Sequence, residues 1–283
     1  MSIRIRRKAI LQTLTYIAVI ISMGLLLIPF FWMFVTSLMR EREIYSNNYP
    51  NFHILPQHPT FHNYISIFTE AQGGYQSFVN SLAVALPTTA IVVVLAVLAA
   101  YALSRLRVKG KNTILFTMLF SSMVPTMGIL IPYYLFTIKS GLYDTKLILI
   151  LTYVAYIMPY SVWVMKGFFD TIPASLEEAA MVDGCTRLQA LYKIILPLSL
   201  PGLAATGIFA FISSWNEFLI GLVLTETQSV TYPVWISLFV GVYKVAFAQL
   251  MAAAVVATIP VIVVALLFQK WILQGLIEGA VKG

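Results

Sequence analysis

Six long apolar stretches, free of charged side chains apart from one glutamate, constrain the fold of this 283-residue chain more than any other feature. A helix needs about 20 apolar residues to cross the ~30 Å hydrocarbon core of a bilayer. Because lipid offers no hydrogen-bond partners, the backbone N–H and C=O groups there must pair within the helix itself. The fold class that we predict is therefore all-α, a polytopic membrane protein with six transmembrane helices. The predicted spans are residues 9–39, 71–104, 112–138, 147–165, 194–224 and 245–269.

Composition and charge agree with a membrane protein and indicate its orientation. Hydrophobic residues make up 60% of the chain and charged residues only 10%, against roughly 25% charged residues in an ordinary soluble domain. With six spans and the N-terminus inside, 13 of the 18 Lys and Arg residues lie on the inner side and five lie on the outer side. Because basic residues favour cytoplasmic loops, we expect both termini in the cytoplasm. The net charge of +7 then reflects topology and not nucleic-acid binding.

Two hydrophilic loops divide the chain. The predicted organisation is a basic segment with the first helix (1–40), an extracytoplasmic loop (41–76), a membrane core (77–270) and a cytoplasmic tail (271–283). For His53, His58 and His62 in the outer loop, hydrogen bonding within the loop is the simpler interpretation and a metal site is the alternative. Residues 227–243 are uncharged but too short to cross, so we expect an interfacial or re-entrant segment. The single cysteine, Cys185, excludes an internal disulfide.

The inner loop, residues 172–200, has the pattern of two short helices around a turn. Ser175 and Glu178 have the spacing of a capping box, and Gly184 stands where a helix would stop. Leu188, Leu191, Tyr192 and Ile195 recur at helical spacing and predict a second amphipathic helix that ends at Pro197. Since so short a helix is marginal alone, the loop either packs on its own bundle or docks on a partner.

The same loop resembles the EAA loop of ABC-importer permease subunits. The matching residues are Glu178-Ala179-Ala180, then Gly184 after three residues, Ile194 after nine, and Leu196-Pro197 after one more. In that family the loop is a coupling helix that inserts into a cleft of a cytoplasmic ATPase subunit. The resemblance implies an ATPase-docking role for Glu178, Ala179, Ala180, Asp183, Gly184, Ile194, Leu196 and Pro197.

Motifs elsewhere are similar to the carbohydrate branch of this family, of the MalG type. They are Asn80-Ser81, Ala99-Ala100-Tyr101-Ala102 with Arg105, Ser214-Trp215-Asn216-Glu217-Phe218, and the tail from Phe268 to Gly283. The resemblance implies a type I ABC-importer permease fold in a bacterial or archaeal inner membrane. It also implies transport of a maltose- or trehalose-like sugar together with a second homologous permease, two ABC ATPase subunits and an extracytoplasmic sugar-binding protein. Gly279 and Lys282 of the tail would contact the ATPase.

The source of energy must lie in a partner if the resemblance holds. The sequence has no G-x-x-x-x-G-K-[ST] phosphate-binding loop, so we expect a non-catalytic subunit without a cofactor, with ATP and Mg bound by the ATPase subunits. A gradient-driven secondary carrier is the alternative function. Such carriers usually need several intramembrane carboxylates and often show repeats, whereas this chain has one such carboxylate and no evident repeat.

That carboxylate, Glu217, is a candidate for the solute path because ionisable groups inside a membrane usually face an interior or water-filled site. Trp215 and Asn216 beside it, and Tyr153 and Tyr156 on the fourth span, supply aromatic and polar groups suited to a sugar. The alternative interpretation is that these side chains pack between helices and that Glu217 makes an interhelical hydrogen bond.

Overall fold

The structure, a computed structural model, describes residues 2–46, 53–71, 73–240 and 246–281, with side chains described for 11–46, 53–71, 73–240 and 246–271. Regular secondary structure in these ranges is helical. The helices are α1 (Ser2–Ser37), α2 (Glu41–Ser46), α3 (His62–Thr69), α4 (Gly74–Arg105), α5 (Lys111–Ser121), α6 (Thr126–Ser140), α7 (Lys146–Thr171), α8 (Ala174–Val182), α9 (Arg187–Ala190), α10 (Leu196–Leu198), α11 (Leu200–Trp215), α12 (Leu219–Leu224), α13 (Tyr232–Ser237) and α14 (Phe247–Val281). A π-helical turn, Leu191–Ile195, joins α9 to α10.

Several helices of the described chain are candidates to span a membrane. Four helical stretches are long and apolar enough to cross a bilayer, namely Leu11–Ser37, Gly74–Arg105, Lys146–Thr171 and Phe247–Trp271. Two bent pairs, α5 with α6 and the Arg187–Leu198 segment with α11, raise the number to six if each pair is one span. The all-α membrane fold is confirmed, and the predicted third and fifth spans are not single straight helices.

Both sharp bends have a local cause. The 88° bend between α5 and α6 lies at residues 122–125, where Pro125 precedes α6. The 82° bend before α11 lies at Ser199, between Pro197 and Pro201. Proline removes a backbone donor and crowds the preceding turn. The expectation that the fifth span continues to residue 224 is wrong, because α11 ends at Trp215 and the separate helix α12 follows.

The first of two compact units comprises residues 1–72 and 238–258. In it the described part of the outer loop is hydrogen-bonded to the end of α1, because the Asn63 amide donates to the carbonyls of Ser37 and Met39 over 2.7 and 2.8 Å. The Glu41 carboxylate accepts the first free N–H groups of α14, from Phe247 and Ala248, over 3.1 and 3.0 Å. This is a favourable position for an acid, since a helix N-terminus carries partial positive charge.

The second unit comprises residues 73–237 and 259–283, and its core lies between α4, α7 and α11. Val84 and Val92 of α4, Tyr153 and Ile157 of α7 and Ala210 of α11 are fully or almost fully buried in one apolar cluster. Helix α13 has only six residues, so it is too short to cross a bilayer, in agreement with the expectation for residues 227–243.

Candidate functional site

Helix α8 carries the EAA residues and begins two residues earlier than the capping pattern indicates. The residue preceding the helix is Pro173, which provides no side-chain cap. Ser175 therefore lies inside the first turn, and the predicted capping box of Ser175 and Glu178 is wrong. The backbone of Pro173, preset near a φ of −57°, explains where the helix starts without a polar cap.

The end of α8 follows the prediction. The Cys185 N–H donates to the Ala180 carbonyl over 3.0 Å, and the Gly184 N–H donates to the Met181 carbonyl over 3.1 Å. These two bonds form a Schellman motif, which requires a residue in the left-handed conformation. Gly184 supplies it with a φ of +90°. The glycine of the EAA pattern thus turns the chain sharply between the two halves of the loop.

The second half of the loop contains a cap that the sequence interpretation missed. The Thr186 hydroxyl accepts the Gln189 N–H, and the Gln189 side chain accepts the Thr186 N–H over 2.8 Å, so the two residues form a reciprocal capping box. The T-x-x-Q spacing could have indicated it. The helical path then continues through the π turn and ends at Leu198, one residue beyond the predicted end at Pro197. Because Pro197 has no N–H for the Lys193 carbonyl, the wider π turn accommodates it there.

The predicted apolar stripe on this half divides into two faces. Leu191 and Ile195 are buried in a cluster with Tyr101 of α4 and Phe169 of α7. Leu188 and Tyr192, which should lie on the same face, are 65% and 57% exposed. The predicted stripe is therefore only half correct, because the π turn shifts the phase of the helix. The loop packs on its own bundle with one face and leaves an apolar face open.

A buried ion pair joins α8 to the end of α4. The Glu177 carboxylate lies 3.2 Å from the Arg105 Nε, and the side chains are 6% and 10% exposed. The Tyr101 hydroxyl donates a short hydrogen bond to the other oxygen of the same carboxylate. Sequence reasoning selected Arg105 and Tyr101 only as family positions and did not select Glu177. Their spacing of four residues on one helix was the available signal that they share a face.

The EAA residues themselves are mostly turned outward. Of the residues predicted to dock the ATPase, Glu178, Ala179, Asp183, Gly184 and Pro197 are exposed, Ile194 and Leu196 are half-buried, and Ala180 is buried. A cleft of about 500 Å³ next to them is lined by Arg105, Arg107 and Arg187 as well as by both glutamates. Both glutamates reach this cleft, but Glu177 is buried and Glu178 is exposed although they are neighbours in the chain.

The residues predicted for the solute path do not share one environment. Tyr153 and Trp215 are 0% and 1% exposed and pack inside the bundle, whereas Tyr156 and Asn216 are exposed. The two carboxylate oxygens of Glu217 accept the N–H groups of Ile220 and Gly221 over 2.9 and 3.0 Å. Glu217 therefore caps the first turn of α12 through local bonds, whereas the alternative interpretation was a bond between helices.

A second carboxylate that accepts several backbone N–H groups, Asp144, lies just before α7, and the sequence interpretation missed it. Asp144 adopts a φ of +56°, and its carboxylate accepts the backbone N–H groups of residues 226–229 over 2.9 to 3.2 Å. Burial by itself raises the pKa of Asp144, but the four N–H groups of Gln228, Thr227, Ser229 and Glu226 outweigh it and lower the pKa below the ordinary value. This position requires a residue that tolerates a positive φ, as aspartate does better than most residues, and the sequence does not reveal that requirement.

The remaining predicted contacts are less informative. Gly279 lies within α14, and Lys282 lies outside the described residues. His62 is 3.9 Å from Glu70. Among the residues that the structure describes, no three His, Cys, Asp or Glu side chains are grouped to hold a metal ion.

Comparisons with known proteins relate the chain to membrane components of transport systems. Residues 92–278 match the family described as "binding-protein-dependent transport system inner membrane component". The chain is 35% identical to the trehalose/maltose transport system permease protein MalG of Thermococcus litoralis, covering 98% of this chain and 99% of that one. It is 38% identical to the trehalose transport system permease protein SugB of Mycobacterium tuberculosis, covering 95% and 98%. Its fold is similar to a chain of a bacterial ABC transporter that imports alginate, with a TM-score of 0.75, 24% identity and coverage of 94% and 98%.

Proposed function

Because this chain belongs to the family of binding-protein-dependent transport system inner membrane components, we propose that it is the permease subunit of an ATP-driven importer of a sugar or oligosaccharide. Both relatives reported above act on the disaccharides trehalose or maltose, and each aligns with nearly the whole chain. This supports a solute of that class. A gradient-driven carrier receives no support, since the family is defined by dependence on a binding protein.

The observation that carries this proposal is the construction of the loop of residues 172–200. Its inner face is fixed to the ends of α4 and α7 by the Glu177 ion pair and by the cluster around Leu191 and Ile195. Its outer face exposes Glu178 together with Val182 and Leu188, whose exposed fractions are 87% and 65%. A partly apolar surface that also exposes the acids Glu178 and Asp183, attached to two spans, is suited to receive a partner and transmit its motion.

In the mechanism that we propose, this loop lies in the cytoplasm and docks on one of two ABC ATPase subunits. The ATPase dimer binds ATP and Mg, closes, and draws this loop and that of a second, homologous permease together. Because the loop is fixed to α4 and α7, those spans tilt with it and open the path toward the extracytoplasmic binding protein. The residues of this chain perform no chemistry; they bind a partner and convert its closure into helix motion. Tyr156, Asn216 and Glu217 stay candidates for solute contact.

Reconstitution tests the proposal. The chain is purified together with its partners, the sugar is chosen from those that the copurified binding protein binds, and uptake into proteoliposomes is measured with enclosed ATP or a non-hydrolysable analogue. We expect uptake only with hydrolysable ATP and the loaded binding protein. Uptake driven by an imposed proton or sodium gradient without ATP would contradict the proposal.

A further inference from the structure

We infer that Tyr101, Arg105 and Glu177 form a clasp that makes α8 move as one body with α4 and α7, and that this clasp, separate from the docking surface, decides how tightly ATP hydrolysis is coupled to transport. The inference rests on the proposed function and assigns positioning roles within it. It separates the two adjacent glutamates by task, with Glu178 facing the partner and Glu177 facing the membrane helices.

Glu177 is the centre of the clasp. Its carboxylate contacts Arg105 with one oxygen and accepts the Tyr101 hydroxyl with the other, and only 6% of its side chain is exposed. A buried carboxylate is tolerated only where it is paired and hydrogen-bonded, so leaving this site is unfavourable for Glu177 as long as both partners remain. The contact therefore resists separation of α8 from α4.

Arg105 extends the clasp to α7. Its guanidinium donates through Nη2 to the carbonyls of Phe169 and Ile172 over 3.0 and 2.7 Å. These carbonyls lie at the end of α7 and just beyond it, where helix carbonyls lack partners and carry partial negative charge. One side chain thus holds the ends of two spans and the first loop helix in fixed relative positions.

The rest of α8 offers little to replace the clasp. Of its nine residues, Glu177 and Ala180 are buried, and Leu176 and Val182 are 43% and 87% exposed. An isolated helix of this length is marginal in water and must be held by its contacts. Without the Glu177 contacts, a pull on α8 would displace it before it moved α4 or α7.

The second half of the loop has an apolar anchor of its own in addition to the clasp. Leu191 and Ile195 are 4% and 0% exposed in an apolar cluster that also contains Met165 and Phe169. The Tyr101 ring belongs to the same cluster and makes an edge contact with Phe169 at a centroid distance of 6.5 Å. Replacing Tyr101 by phenylalanine therefore removes the hydroxyl bond to Glu177 and the longer contact with the Arg187 carbonyl, at 3.4 Å, and keeps the packing. Loss of the clasp should loosen α8 while the bundle stays folded.

The test measures sugar molecules imported per ATP hydrolysed in proteoliposomes that contain the complete importer. The variants are Glu177→Gln, Glu177→Asp, Tyr101→Phe, and the double variant of Glu177→Gln with Tyr101→Phe. Breaking a buried charge pair shifts a docked equilibrium by at least about tenfold, so we expect the ratio to fall about tenfold in Glu177→Gln. The fall should be smaller in Glu177→Asp and Tyr101→Phe. The ratio in the double variant should equal that in Glu177→Gln, because both changes remove the same interaction.

The matched control is Asp170→Asn. Asp170 pairs with Lys166 within α7 and accepts the Ser104 hydroxyl of α4 over 2.6 Å, so its loss weakens a link between the two spans that does not involve α8. We expect a wild-type ratio in this variant. The amount of ATPase that copurifies should equal that of the wild type throughout, because the docking face is unchanged.

A wild-type ratio in Glu177→Gln would overturn the inference. If that variant fails to retain the ATPase, the ratio of sugar imported to ATP hydrolysed in Tyr101→Phe is the deciding measurement. A lowered ratio supports the clasp, and an unchanged ratio overturns it. A wild-type complex that imports sugar without hydrolysing ATP would refute the proposed function itself. A coupled wild type with equally coupled variants would refute only the clasp.

Discussion

At the residue scale, several carboxylates in the described part of the chain accept hydrogen bonds from backbone N–H groups instead of forming surface ion pairs. Asp144 collects four N–H groups from residues 226–229, Glu217 takes two at the start of α12, and Glu41 takes two at the start of α14. Each satisfies donors that would otherwise lack partners, which is costly where water is scarce. Substitution of these acids should therefore affect local structure first.

Replacing Asp144 by asparagine tests this directly. Asparagine tolerates the positive φ but turns an NH₂ group toward two backbone donors, so we expect a loss of about 1–2 kcal/mol in stability at neutral pH. Because the folded-state pKa of Asp144 lies below its ordinary value, its contribution is complete above about pH 4. It is then lost as the pH falls through the lower folded value.

The measurement is the thermal unfolding midpoint of the purified complex for wild type and Asp144→Asn from pH 7 to pH 3. The difference between the two should shrink toward the acidic end. Glu226→Gln, a change at an exposed acid in the facing loop, is the control and should stay close to the wild type. A difference that is constant across this range would show that the charge of Asp144 is not the source.

For Glu217 we predict a structural effect that exceeds any effect on solute affinity. Alanine removes both bonds to the N–H groups of Ile220 and Gly221 and should cost about 1–2 kcal/mol, whereas glutamine retains one acceptor and should cost about half as much. Thermal unfolding and the sugar concentration for half-maximal uptake are measured on the same preparations. A raised half-maximal concentration at unchanged stability would instead favour solute contact.

Residue roles were predictable only where a pattern implied one geometry. Gly184 was predicted correctly as a helix end, because the left-handed turn after a helix strongly favours glycine. Glu177 was missed because its neighbour Glu178 carries the same charge and fits the family spacing. Which of two adjacent glutamates faces inward depends on how α8 is oriented against α4, and α8 begins two residues earlier than Ser175 indicated.

At the scale of elements, the approach of α11 to α7 depends on one glycine. A Cβ added at Gly202 would lie 2.5, 2.7 and 2.8 Å from the Cγ, Cδ2 and Cβ atoms of Phe168. These atoms are close to the backbone of α7 and cannot move aside easily. The position follows directly after Pro201, so the glycine lets the helix start against its neighbour immediately after the bend.

Gly202→Ala should therefore lower the stability of the complex by about 1–3 kcal/mol, the usual cost of overpacking. Gly207→Ala in the same helix is the matched control, because the nearest atom to its added Cβ is a Val93 methyl at 3.8 Å, an ordinary contact. Thermal unfolding of both variants checks the prediction. Equal midpoints for Gly202→Ala and the wild type would show that the two helices can separate freely at this point.

The elements themselves were predictable where length and hydropathy decide, and less so where backbone geometry does. Apolar runs located α1, α4, α7 and α14, since a bilayer leaves few alternatives to a long helix. The size of the bends at residues 122–125 and 199 could not be predicted from the prolines alone. Pro29, Pro87 and Pro159 lie inside continuous helices, whereas Pro125 and Pro201 lie next to breaks. Proline marks a possible kink, and tertiary packing decides its size.

At the scale of the whole molecule, this chain exposes a surface that would receive the ATPase in the function proposed above. Glu178, Val182 and Leu188 of the loop are exposed, and the clasp connects the same loop to two spans. The apolar flank of α1 is exposed as well, from Leu11 to Phe31. Exposed apolar surfaces of this kind are expected of a membrane protein that associates with lipid and with other subunits.

Mild solubilisation from native membranes, affinity purification of this subunit and mass spectrometry of the associated proteins test this account most directly. The wild type should bring an ABC ATPase, a second permease and a binding protein, and Glu178→Lys should retain the second permease and lose the ATPase. The charge reversal Glu226→Lys at an exposed acid of another loop should keep all partners. A wild-type subunit that is isolated alone, reproducibly and still competent for transport would contradict the account.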